Sequence, residues 1–319
     1  MLRSFFIWLS KANWAQNLIT RWKFAWRMAS RFIAGETQQD ALNVVQSLNG
    51  QGINATLDHL GEHTDDLAAA EQATREILSL LDAIHTTGLR SNVSIKLSQL
   101  GLLLDSGIAY HNLRLILDRA RGYSSFIRVD MEDSSMTEIT LEQVFRARAE
   151  GFENIGTVIQ SYLYRSEQDV RRLIEKGIPI RLVKGAYKEP PSVAYPRKAD
   201  VDAAFDRLVD ILLEEDQTVG LARGSQDGLV PPPVAVGSHD INRIRHAQEK
   251  LKALGLPVSA LEFQLLYGIR RDLQQQLVKE GYPVRLYVPY GTAWYPYYMR
   301  RLAERPANVW FFLSSLLGR

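Results

Sequence analysis

The chain has 319 residues, 46% of them hydrophobic and 23% charged, which is enough apolar material for a large core and unlike a disordered or fibrous protein. It contains no cysteine, so disulfides, thiolate metal sites, cysteine nucleophiles and cysteine-ligated iron–sulfur clusters are excluded. The net charge of +2 conceals an asymmetry: Arg3, Lys11, Arg21, Lys23, Arg27 and Arg31 fall in residues 1–35 with no acid, leaving 32 basic against 36 acidic residues elsewhere, a balance that does not suit nucleic-acid binding.

Residues 1–35 interleave these bases with Phe5, Phe6, Trp8, Trp14, Trp22, Phe24, Trp26 and Phe32 at roughly helical spacing, the pattern of an amphipathic helical arm. Three readings stay open for it: packing of the aromatic face on the rest of the protein, peripheral contact with an anionic membrane surface, or a transit peptide. The apolar runs at 5–9 and 309–317 are too short to span a bilayer, which needs about 20 residues. Absence of cysteine fits a reducing, cytoplasmic location, peripheral at the inner membrane surface if the arm meets lipid.

Beyond the arm, short runs rich in β-branched residues alternate with longer segments of helical periodicity. Strands are expected at 54–58, 93–97, 126–130, 156–160, 180–183, 234–237, 261–264 and 284–288. Helices are expected at 65–85, 110–121, 141–150, 167–176, 201–215, 241–254, 270–279 and 297–304. Eight alternating pairs over residues 36–319 point to an α/β fold, a distorted (β/α)8 TIM-like barrel preceded by the arm; such barrels take about 250 residues. The stretch 217–233, with Gly-Ser-Gln-Asp-Gly and three consecutive prolines, reads as a surface insertion that ends the fifth helix, not as a domain boundary.

Two apparent motifs carry little. The run Gly50-Gln-Gly52-Ile-Asn-Ala55 matches a dinucleotide fingerprint on paper but precedes a strand, whereas the mechanism needs it between strand and helix. His59 and His63 have zinc-like spacing, yet Gly61 places them on a turn, and no metal site is expected.

The informative polar residues fall at strand ends: Lys96, Asp130, Gln160, Arg181 and Lys184, then His239, Glu262, Gln264 and Tyr287. Charges inside apolar strands are costly unless paired or facing a polar site, and catalysis in these barrels occurs at the C-terminal strand ends. A purely structural ion network of Lys96, Asp130 and Arg181 is the alternative. Arg300 and Arg301 are either a solvated surface pair or a fork for a carboxylate.

The segments Val93-Ser-Ile-Lys-Leu-Ser, Arg128-Val-Asp-Met-Glu-Asp, Val158-Ile-Gln-Ser-Tyr, Arg181-Leu-Val-Lys-Gly-Ala-Tyr187, Gly237-Ser-His-Asp240, Glu262-Phe-Gln264 and Tyr297-Tyr-Met-Arg-Arg301 resemble the proline dehydrogenase family in order and spacing. The likeness covers essentially residues 35–310 and is nearest to the short monofunctional bacterial members. It implies FAD at the C-terminal strand ends and oxidation of L-proline to Δ1-pyrroline-5-carboxylate, with a membrane quinone as acceptor. It also implies a transient contact with pyrroline-5-carboxylate dehydrogenase.

By the same resemblance, Arg300, Arg301 and Lys96 hold the proline carboxylate. Tyr287, Tyr297 and Leu266 line the ring pocket, and Glu62 closes it as a gate. Asp130, Arg181 and Lys96 serve the chemistry. Met131, Gln160, Arg181, Lys184, Gly185, Ala186, Ser238 and His239 hold the flavin. The chain departs from the family pattern at Ser238, where threonine is usual, and at Lys188, where longer members often carry an aromatic. The competing readings are a related flavin barrel for another cyclic amino acid, such as hydroxyproline, and a non-catalytic membrane-surface protein with a vestigial barrel.

Overall fold

The computed structural model describes residues 23–61, 64–219 and 224–304. Among the described residues two helices, α1 (Lys23–Ala29) and α2 (Gln38–Asn49), precede eight parallel strands, each followed by a helix. The pairs are β1 (Asn54–His59) with α3 (Leu67–Thr87), β2 (Ser91–Ile95) with α4 (Ser106–Gly122), β3 (Ile127–Val129) with α5 (Thr137–Ala149), and β4 (Ile155–Gln160) with α6 (Ser166–Glu175). They continue as β5 (Ile180–Val183) with α7 (Lys198–Val219), β6 (Val234–Gly237) with α8 (Ile241–Ala253), β7 (Leu261–Leu266) with α9 (Arg271–Lys279), and β8 (Val284–Tyr290) with α10 (Trp294–Glu304). The sheet closes in chain order, β8 pairing with β1 so that Ala55 faces Leu286 and Thr56 faces Tyr287. The closed (β/α)8 barrel expected from the sequence is the observed fold.

Strands buried on both faces in a parallel barrel usually read as continuous apolar runs. These strands alternate instead. One set, including Ala55, Leu57, Val93, Ile95, Ile127, Val129 and Leu182, joins the apolar core. The other set contains Thr56, Asp58, Ser94, Arg128, Arg181, Glu262, Gln264 and Arg285, all buried. Its side chains bond between strands that are not neighbours: Arg181 on β5 reaches Asp130 after β3 and Gln264 on β7. Such contacts can run only through the barrel interior, so the polar strand-end residues belong to a polar axis and not to scattered surface sites.

The sequence reading missed α2. Its start carries a local signal: the Thr37 hydroxyl accepts from the Asp40 N–H while Asp40 accepts from the Thr37 N–H, a reciprocal cap of the kind that opens helices. Lys96, expected inside the second strand, lies just past its end and opens a short 3-10 turn at Leu97–Leu100. The fifth helix continues to Val219, past the expected break at 217. Residues 224–233 lie beneath the barrel, at the end opposite the Ser238–His239 segment. There Arg285 donates to the Gly228 carbonyl at 2.6 Å and Asn92 to the Leu229 carbonyl at 3.3 Å. The reason is topological, since the loop entering β6 must arrive at that strand's N-terminal end.

Residues 1–22 of the arm lie outside the described residues. The remainder of the arm packs on the last helix: Met28, Ala29 and Ile33 share a buried cluster with Trp294, Tyr295, Tyr298, Met299 and Leu302. Trp26 meets Trp294 with ring centroids 5.4 Å apart, and Trp294 donates to Glu36 at 3.0 Å. Ala34 donates to the Pro289 carbonyl and Gly291 to that of Gly35, so the entering chain is laced to the end of β8. Among the described residues no helix is long and apolar enough to cross a membrane.

Candidate active site

A cavity of about 360 Å³ opens at the C-terminal ends of the strands, within the size range of small-molecule sites. Its lining includes Lys96, Asp130, Met131, Gln160, Arg181, Lys184, Gly185, Ala186, Ser238, His239, Leu266, Tyr287, Tyr297, Arg300 and Arg301. Every residue to which the resemblance gives a role in the site is therefore on this wall except Glu62, which lies outside the described residues; Glu262, also singled out at a strand end, is not on it and accepts from Gln264 and Arg285.

The cavity floor is a network of charges. Lys96 Nζ lies 3.1 and 3.3 Å from the two carboxylate oxygens of Asp58 and 3.5 Å from the Tyr287 hydroxyl. The Tyr287 hydroxyl is 2.5 Å from Asp58 Oδ2 and 2.9 Å from Asp130 Oδ2. Asp130 also accepts from Arg181 at 3.0 Å and from the Ser94 hydroxyl at 2.9 Å. Arg181 donates through Nε to Gln264 at 2.6 Å, Gln264 donates to Glu262 at 2.6 Å, and Arg285 donates to Glu262 at 2.8 Å. The guanidinium of Arg181 sits over the Tyr287 ring, 5.4 Å from its centroid.

Burial pushes the Asp58 carboxyl above the usual carboxylate range, opposed in part by the Lys96 charge. The Tyr287 phenol is driven well above its ordinary value, first by burial and then by the two carboxylates. Its hydrogen is therefore held firmly, and the phenol acts as a donor, not as an acid.

On another part of the wall, Gln160 donates to the Glu132 carbonyl at 2.8 Å, which fixes its amide. Lys184 is held at 2.5 Å from Asp202 and 2.6 Å from Asp240, at the starts of α7 and α8. His239 accepts through Nε2 from the Leu266 N–H at 2.9 Å, which sets its tautomer with the hydrogen on Nδ1. Gly185 has φ of +120°, and a Cβ there would lie 2.4 Å from the Tyr162 ring, so the backbone can run close under the cavity only as glycine. Arg300 and Arg301 come from α10, and the Arg301 guanidinium lies 5.1 Å from the centroid of the Tyr297 ring.

Asp58 was missed in the sequence. It ends the first strand expected from the sequence (54–58) as Asp130 ends the third (126–130), so the same signal was there to read. Asp202 and Asp240 were missed for a different reason: at helix starts they look like ordinary capping acids, and Asp240 does accept from the Asn242 N–H.

A (β/α)8 barrel with a cavity of buried, mutually oriented charges at its C-terminal strand ends has the architecture of an enzyme. The chain belongs to the proline dehydrogenase family: the family model "Proline dehydrogenase" matches residues 41–313, and the activity is oxidation of proline in proline catabolism. It is 42% identical to a proline dehydrogenase of Deinococcus radiodurans over 296 residues, covering 92% of this chain and 91% of the relative. It is 40% identical to proline dehydrogenase 1 of Bacillus subtilis strain 168 over the full length of both. The barrel is also similar to a crystal structure of proline utilization A (PutA) from Bdellovibrio bacteriovorus inactivated by N-propargylglycine. That match has TM-score 0.78 and 27% identity over 88% of this chain, and it spans 33% of the larger protein.

Proposed function

We propose that the cavity holds FAD and L-proline together and that the product is Δ1-pyrroline-5-carboxylate, with a membrane quinone taking the electrons. The observation that carries this reading is the convergence of Arg300, Arg301, Lys96, Arg181, Lys184 and Gln160, scattered over 206 positions of sequence (96 to 301), on one wall.

The donor chemistry fits a flavin. An isoalloxazine presents carbonyl oxygens and ring nitrogens to donors, and the cationic or amide groups of Arg181, Gln160 and Lys184 supply them beside apolar Val158, Val183 and Leu265. Gly185, Ala186 and the Met131 backbone would let the ring approach closely, and Ser238 and His239 would hold the rest of the cofactor. Bound there, the flavin would supply the hydride acceptor; the cations around it favour an electron-rich ring.

The residues of the chain do the rest. The two guanidinium groups and Lys96 would hold the carboxylate of proline, which fixes the ring carbon that gives up hydride. Tyr287, Tyr297 and Leu266 would pack against the ring methylenes. Tyr287 cannot swing away, because Asp58 and Asp130 hold its hydroxyl. Asp130 keeps Arg181 in place. In this reading Glu62 closes the pocket, residues 1–22 meet the membrane surface, and a separate dehydrogenase consumes the product.

Anaerobic mixing of the flavin-loaded protein with L-proline should bleach the oxidised flavin band, faster than hydroxyproline does, and a soluble quinone should restore it. Protein that retains FAD but stays oxidised with proline would overturn the substrate assignment. Gly185→Ala should lower the flavin retained after gel filtration by about tenfold in affinity, since a clash with Tyr162 and a positive φ together cost about 1–3 kcal/mol. Unchanged flavin content would place the ring elsewhere.

A further inference from the structure

Asp58 does not line the cavity and is fully buried, yet it grips two groups that do. A phenol has one hydrogen to give. Tyr287 has two carboxylate oxygens within reach, Asp58 Oδ2 at 2.5 Å and Asp130 Oδ2 at 2.9 Å. With the hydrogen on the shorter contact, the longer one sets phenol lone pairs against a carboxylate oxygen with no hydrogen between them. One added proton completes the series, so that Asp130 donates to Tyr287 and Tyr287 to Asp58, or the reverse. The three oxygens thus form a chain with room for a single proton.

The charges facing this chain are Lys96 from the end of β2, against Asp58, and Arg181 from β5 and Arg128 from β3, against Asp130; the phenol of Tyr290 on β8 also faces Asp58. Removing Asp58 from water disfavours its charge, which suits it to share a proton at higher pH than an exposed aspartate would.

We propose that the Asp58–Tyr287–Asp130 chain accepts the proton that the proline nitrogen must lose, with Asp58 as the buried positioning residue that lets the chain hold it. The proposal rests on the reading of the cavity as a site for proline and flavin. Proline arrives as an ammonium carboxylate. One N–H bond breaks, its electron pair stays on nitrogen, and the proton forms an O–H bond on Asp130, or on Tyr287 while that phenol's own hydrogen passes to Asp58, so that Tyr287 stays neutral throughout. The freed lone pair becomes the second bond of C=N as hydride leaves the neighbouring carbon, the oxidant being the flavin of the proposed function. The product is a protonated imine, and the chain returns its proton to solvent when the product leaves.

The test compares L-proline with tetrahydrofuran-2-carboxylate, which has the same ring size and carboxylate but no N–H. Infrared difference spectra of the anaerobic, flavin-loaded protein should show a new protonated-carboxyl stretch with proline and none with the ring-oxygen analogue. In Asp58→Asn, which keeps an oxygen acceptor for Tyr287, that band should shrink or shift. The acid limb of kcat/KM should move downward by about one pH unit, because the chain has lost a negative charge and binds its proton less tightly, and the plateau rate should fall roughly tenfold, while the analogue binds within about twofold. Asp58→Glu should restore part of the shift. An unmoved limb in Asp58→Asn would reduce Asp58 to a structural role and overturn the proposal. If that variant does not fold, the wild-type spectra decide alone, because absence of the proline-dependent band means the proton goes to solvent. Bleaching of the flavin by proline without the band sinks only the proton chain; no bleaching sinks the reading of the cavity itself.

Discussion

Arg301→Met should raise the proline concentration for half-maximal rate by about ten- to a hundredfold with little loss of bound flavin. A hydrogen bond to a charged group contributes about 1.5–3 kcal/mol, and each 1.4 kcal/mol is tenfold. The Arg301 side chain is half-buried beside the Tyr297 ring, 5.1 Å from its centroid, so its fork is already oriented before any substrate arrives. Methionine keeps the stem's packing and removes the charge. Because the carboxylate takes no part in bond making, the loss should fall mainly on KM and not on kcat. Arg301→Lys should recover only part of it, since an ammonium cannot make the paired contact of a planar fork. Steady-state kinetics at fixed flavin occupancy decide the matter. An unchanged KM would mean that the carboxylate is held elsewhere, and equal loss of flavin would mean that α10 itself has shifted.

Arg285→Met should produce the largest loss of stability, about 3–5 kcal/mol, because it strands a buried carboxylate. Glu262 and Arg285 are each about 1% exposed and lie 2.8 Å apart. Arg285 also donates to the Ala55 and Gly228 carbonyls at 2.7 and 2.6 Å, so it joins three strands of the barrel to the segment beneath it. The urea midpoint should fall by about 1 M or more, at a slope near the upper end of the range for small proteins. Adding Glu262→Gln removes the stranded charge and should return much of the stability, a non-additivity that only contacting residues show. If the two losses simply add, the pair is not the unit that supports the barrel axis.

The eight strand–helix units and most of the cavity wall were legible because each has a local signature. A β/α unit announces itself in the change from period-two to helical patterning. Lys96, Asp130, Arg181 and Tyr287 stand out as polar residues where a parallel strand should be apolar. The boundaries moved by a few residues, as at Lys96, because a strand ends where its neighbour stops pairing, which no single segment reports. The helix at Gln38–Asn49 had a cap to announce it but lay between the end of the arm at residue 35 and the first expected strand at 54, where no element was assigned.

What the sequence by itself determined is the barrel, its family and the set of polar groups that face a common axis. The tertiary structure alone decided the partners. Asp58 and Asp130 carry the same local signal, and nothing near either one says that a single phenol joins them. That contact exists because β8 closes against β1, which brings Tyr287 to Asp58 across 229 positions of sequence. The chain entering at Ala34 and Gly35 is laced to the end of β8, which sets the arm's end against the helix that carries Arg300 and Arg301. Local patterning records which face of a strand is polar, whereas the pairing of charges depends on how the ring of strands closes, a long-range condition that no short window contains.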